Sequence, residues 1–168
     1  MSKFAIRGHP LHPMLVSVPI GLFAAAFVFD FVYIASGEDQ TWYDAATFAG
    51  GFGAASALVA AMPGLGDYFT LHMGANSRLV ATLHLMANAA LIAIFTTAFL
   101  LMLGDGATDG AAFAGVLALH TAGMALLGIS GWLGGELIYV HQVLVTDAGR
   151  ETPARERREE DAVAAGRR

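Results

Sequence analysis

Four long apolar stretches, separated by short polar ones, organise this chain of 168 residues. They run from about Met14 to Ala35, Ala45 to Met62, Leu79 to Leu103 and Ala111 to Leu133. Each is roughly 18–25 residues, enough for a helix rising 1.5 Å per residue to cross a hydrocarbon core of about 30 Å. In lipid every backbone amide and carbonyl must be satisfied within the protein, and uninterrupted apolar runs of this length do so as helices. The pattern therefore predicts an all-α, four-helix transmembrane bundle over residues 1–148, followed by a polar, mixed-charge tail over 149–168.

Composition agrees with the pattern. Charged residues make up 14% of the chain, against about 25% in an ordinary soluble domain. No short apolar core with a small-residue cleavage site precedes the first span, which is itself long enough to cross, so no secretory signal is expected. Cysteine is absent, which removes disulfides, thiolate metal sites and cysteine-ligated iron–sulfur clusters from what this chain can build.

Charge then orients the spans. Lys3, Arg7 and Arg78 fall on one side together with Arg150, Arg155, Arg157, Arg158, Arg167 and Arg168, and these are all the lysines and arginines. The loops on the other side carry Glu38, Asp39, Asp44, Asp105 and Asp109 and no basic residue. By the positive-inside rule both termini face the cytoplasm.

This orientation gathers the candidate chemistry. His9 and His12, each followed by proline, stand at the cytoplasmic mouth of the first span; Asp67 and His72 fall in the loop "PGLGDYFTLHMGANSR". His84 lies about five residues into the third span, roughly 8 Å below its end. The segment "SGWLGGELIYVH" brings Glu136 and His141 to the same side. An ionisable side chain within a span is costly unless partnered and is a functional candidate by default. Ser77, Ala81, His84 and Asn88 make a polar, small-residue stripe at helical spacing, so the third helix turns this face to a partner helix. The expected partners of His84 are His12 and His141. His120, about 20 Å from the cytoplasmic end, is too deep for a simple pair with it.

Other positions read more plainly. Ala46, Gly50, Ala54, Ala57 and Ala61 form a small-residue face suited to close helix packing. Gly134-Gly135 can break the fourth helix, which Glu136 and His141 would need in order to serve one site, since five residues on an unbroken helix put them about 140° apart. Glu136 alone suits the role of fixing a histidine tautomer from behind, as Asp67 and Asn88 do. Asp30, near the far end of the first span, is expected to face water or a neighbouring helix and receives no role.

The motifs "GHPLHPMLVSVPIGLF", "PGLGDYFTLH", "RLVATLHLMAN" and "SGWLGGELIYVH" together resemble the bacterial domain-of-unknown-function family numbered 2231, small four-span membrane proteins, over nearly all of Gly8 to Val145. That resemblance implies a bacterial inner-membrane protein but no activity. Some relatives sit beside or are fused to Rieske-type iron–sulfur domains, and the histidine layout is similar to that of small membrane b-type cytochromes. Relatives often carry His-Gly in the last motif where this chain has His141-Gln142.

Three functional readings follow. In the first, His84 with His12 or His141 ligates haem b for electron transfer, served by a separate iron–sulfur or quinone-linked partner. In the second, His9, His12, His84 and His141, with Asp67 and Glu136 nearby, take a divalent zinc, iron or copper ion. The third is a structural or assembly subunit of a larger membrane complex, or a homo-oligomer. An electron-transfer or binding subunit is expected ahead of a stand-alone enzyme: no phosphate loop or nucleophile elbow is present. The tail's basic residues alternate with acids, which argues against nucleic acid as a partner.

Overall fold

The computed structural model describes residues 2–104 and 110–143. The tail from 149, its arginines, and Asp105 and Asp109 lie outside the described residues. A short hairpin pairs β1 (Ala5–Ile6) with β2 (His9–Pro10), turned by Arg7 and Gly8 at φ 51° and 84°. Two successive positive φ values are what a two-residue hairpin of right-handed twist requires. Five helices follow: α1 (Leu11–Leu15), α2 (Ser17–Ala35), α3 (Gln40–Thr70), α4 (Ala75–Leu103) and α5 (Gly110–Tyr139).

Local chemistry sets these boundaries. Pro19 lacks the amide that would bond the Leu15 carbonyl, and its ring crowds that carbonyl; α1 ends there and α2 restarts two residues later, the two forming one membrane-length span over Leu11–Ala35. Asp39 caps α3, its carboxylate accepting from the Thr41 amide at 2.8 Å. At the far end of α3, Arg78 donates to the carbonyls of Tyr68 and Leu71, which have no further turn to bond them.

α2 packs against α3, α3 against α4, α4 against α5, and α5 closes back on α2. The core is built from small and aromatic residues: Phe23, Ala26, Ala49, Ala54, Leu91 and Phe95 in one cluster, and Tyr33, Tyr43, Ala46, Ala98, Met102, Phe113 and Val116 in the other. Large apolar side chains such as Phe31, Phe48, Phe52, Leu100 and Ile129 point outward. In water that would be costly; in a bilayer it is the lipid-facing surface.

Two elements are longer than the apolar pattern predicts. α3 runs through Pro63 to Thr70, so Asp67 belongs to a helix and is buried, while His72 lies beyond it and is exposed. α5 continues unbroken through Gly134-Gly135 to Tyr139. A hydropathy window stops at polar residues; the helices continue because those polar groups find partners inside the protein.

Candidate functional site

The central feature is the meeting of His12 and His84. α1 brings His12 alongside α3, where its Nδ1 lies 2.7 Å from the Ala60 carbonyl. The ring lies against Gly64, one turn on, where a Cβ would come within 2.7 Å of Nδ1. Pro63 occupies the same turn and supplies no amide of its own.

His84 is nine residues into α4, which begins at Ala75. Its Nδ1 lies 2.9 Å from the Ser130 carbonyl of α5, and its ring packs against Gly134, where a Cβ would stand 3.1 Å from Cε1. Asn88, one turn deeper on α4, sets its amide nitrogen 3.1 Å from His84 Nε2, 2.7 Å from Ser130 Oγ and 2.8 Å from the His84 carbonyl. The two imidazoles stand edge to face, centroids 6.2 Å apart and planes 84° to one another.

The tautomers follow from these partners. A backbone carbonyl only accepts, so the ring nitrogen facing it carries the proton. Both rings therefore hold hydrogen on Nδ1 and a lone pair on Nε2, the form in which a histidine ligates a metal while its other nitrogen is oriented from behind.

The remaining predicted residues are placed separately. His9 is exposed, with Nδ1 3.2 Å from the Arg7 carbonyl. Asp67 accepts from Ser2 Oγ at 2.6 Å, while its Oδ2 is buried without a partner. Ala60, Gly64 and Asp67 share a face of α3, so the N-terminal segment folds over the end of the groove that holds His12. Phe4 of the same segment lies directly against Gly66, where its ring leaves no room for a Cβ. His141 sits 3.8 Å from Glu136 at the close of α5. The chain turns after Tyr139, which brings these two together without the helix break expected at the glycine pair. Among the described residues no group of three or more His, Asp or Glu side chains could hold a metal ion.

A second polar contact carries no sequence-level assignment. Asp30 of α2 and His120 of α5, both fully buried, meet with Nδ1 2.6 Å from Oδ2. Phe95 stacks on the His120 ring at 4.9 Å and Phe23 on Phe95 at 3.9 Å. The available signal was depth counted from the other end. Asp30 lies five residues before the close of α2 and His120 ten after the start of α5, so both belong to the half of the bundle away from His84.

The comparisons agree with this architecture. The model of a family described as a predicted membrane protein, DUF2231, matches residues 8–147. No curated protein and no solved structure matches the chain.

Proposed function

The chain belongs to the DUF2231 family of predicted membrane proteins, and in that setting we propose that it is a haem b electron-transfer protein whose axial ligands are His12 and His84. The observation that carries the reading is the facing pair itself: two imidazoles from different helices, 6.2 Å apart, each with Nδ1 turned to a backbone carbonyl. His12 and His84, drawn from different helices and both protonated on Nδ1, would hold a haem through their Nε2 lone pairs. Two protein nitrogens suit haem, whose remaining ligands belong to the porphyrin. A compact zinc-type site takes three or four protein ligands, and among the described residues no third His, Asp or Glu joins this pair. Gly64 and Gly134 leave both rings flanked by backbone instead of side chains.

When bound, haem supplies reversible one-electron transfer. The chain's own residues hold and tune the ligands. The Ala60 and Ser130 carbonyls fix the Nδ1–H tautomer and the ring planes. Asn88 guards the His84 lone pair and gives it up on ligation, keeping its contacts to Ser130 Oγ and the His84 carbonyl. Lys3, Arg7 and Arg78 at this end of the bundle support an orientation toward the cytoplasmic side of a bacterial inner membrane, where a soluble or quinone-linked partner would meet it.

The test is an absorption spectrum of the detergent-purified protein from haem-replete cells, before and after dithionite. A sharp Soret band with a reduced b-type α-band is expected, lost in His84→Ala and in His12→Ala and kept in His9→Ala. A featureless wild-type spectrum, or the full signal in His84→Ala, overturns the assignment.

A further inference from the structure

The Asp30–His120 contact plays no part in the reading above, and its chemistry is unfinished. Between Arg7 and Arg78, and between Arg78 and Arg150, there is no lysine or arginine. The bundle interior therefore holds no other cation to balance a carboxylate at Asp30. A lone buried charge is costly in a membrane interior, so the pair is more stable when neutral as a unit, with two protons between its members, than as a singly protonated anion. One lies between Nδ1 and Oδ2. The other must sit on Nε2 or on Oδ1, and these are the two atoms of the pair that are buried without a partner. The stacked face of Phe95 favours the imidazolium form and so Nε2. Beside Nε2, Gly50 leaves an opening: a Cβ there would meet nothing nearer than Nε2 itself at 3.7 Å.

A cleft approaches the pair from the far end of the bundle. Its volume is about 180 Å³, and it lies between the end of α2 and the start of α5, lined by Tyr33, Glu38, Phe113, Ala114 and Leu117. Tyr33 is one turn from Asp30 on α2, and Leu117 one turn from His120 on α5, so the cleft ends within about one helical turn of the fully buried pair. The titratable groups on that side are Tyr33, Glu38 at the mouth, and Tyr43 of α3, whose ring lies 5.6 Å from that of Tyr33. Gly50 of α3 and Phe95 of α4 lie against the His120 ring.

We propose that Asp30 and His120 form an intramembrane proton-binding site, loaded and emptied through the cleft between α2 and α5. Loading adds one proton from water to the singly protonated, anionic pair, at Nε2, and leaves it neutral; release reverses the step. The site is independent of what His12 and His84 hold: Ser130, the His84 contact on α5, is ten residues from His120, about 15 Å along the helix.

The full chain carrying isotope-labelled histidine, reconstituted in nanodiscs, tests this by NMR, with the His120 signals assigned from His120→Gln. At neutral pH His120 should carry protons on both ring nitrogens, and Asp30→Asn should remove one of them. Exchange of the Nε2 proton with deuterated water should slow about tenfold when the cleft is filled by Leu117→Trp, or by Ala114→Leu at an exposed position that leaves the core untouched. A singly protonated His120 in both wild type and Asp30→Asn overturns the proposal. So does exchange that neither cleft substitution alters, which would make the pair a static pin between α2 and α5.

Discussion

Asn88 shows how few atoms hold the His84 site. Its one amide nitrogen lies within hydrogen-bonding distance of three acceptors on α4 and α5. Asn88→Ala should leave the buried Ser130 hydroxyl and His84 Nε2 without that donor and cost about 1–3 kcal/mol, read as a lower midpoint in denaturant unfolding followed by circular dichroism. Asp30 offers a sharper contrast. Asp30→Ala strands a buried imidazole and should cost about 3–5 kcal/mol, whereas Asp30→Leu combined with His120→Phe removes both polar groups and should recover most of that loss. A double variant no better than the single one would mean that the pair is not a unit. The types of these residues were legible in the sequence as ionisable groups within spans, but their pairing was not, because 90 positions separate them and depth had been measured only from the His84 end. At the protein's polar rim, the Thr41 amide holds the Asp39 carboxyl below the usual carboxylate range. A folded-state value below the unfolded one means the cap contributes above the ordinary carboxylate range and is lost as pH falls through the folded value. Acid should therefore loosen the start of α3, seen as faster amide exchange at Thr41, and Asp39→Asn should flatten that dependence.

The helices are held at close range by rings seated against glycines, and these seats differ in what they tolerate. At Gly53 and Gly123 an added Cβ would lie 2.7 Å from Phe23 and 2.6 Å from Phe95, both fully buried and stacked on one another. Neither ring can retreat, so Gly53→Ala and Gly123→Ala should each cost about 1–3 kcal/mol by overpacking. At Gly50, one turn from Gly53, the nearest contacts would be ordinary, at 3.7–3.9 Å. Gly50→Ala should be neutral or gain up to about 1 kcal/mol from helix propensity, and the same unfolding series separates the three. The small-residue face through Ala46, Gly50 and Ala54 was readable as a packing surface from its spacing alone. Which glycine seats which ring was not readable, since that depends on the register of facing helices. The ends of α3 and α5 were hidden for a related reason. Asp67 and Glu136 look like loop residues to a hydropathy count, yet Ser2 reaches back to one and His141 folds onto the other.

For the molecule as a whole, the order of the four spans and the position of the basic residues make the strongest claim. Successive spans joined by short connections must alternate in direction, so the start of α3 and the start of α4 lie at opposite faces of the bilayer. Lys3, Arg7 and Arg78 stand at the α4-start face and Glu38, Asp39 and Asp44 at the other. We infer a direction from that asymmetry, because basic residues near span ends tend to be retained in the cytoplasm. Cysteine is absent from the chain, so single reporters need no background removed. Gln40→Cys and Asn76→Cys are both at exposed positions. In intact cells a membrane-impermeant maleimide should label Gln40→Cys and leave Asn76→Cys untouched until the membrane is opened. The reverse result would turn the His12–His84 site outward and the Asp30–His120 cleft inward, and any redox partner of the first would then have to be sought outside the cytoplasm. Labelling of both without permeabilisation would break the alternation itself and with it the four-span bundle. The expected result would put the two buried polar layers, about 15 Å apart along α5, in the two halves of one membrane: the proposed ligand site toward the cytoplasm and the proposed proton site away from it.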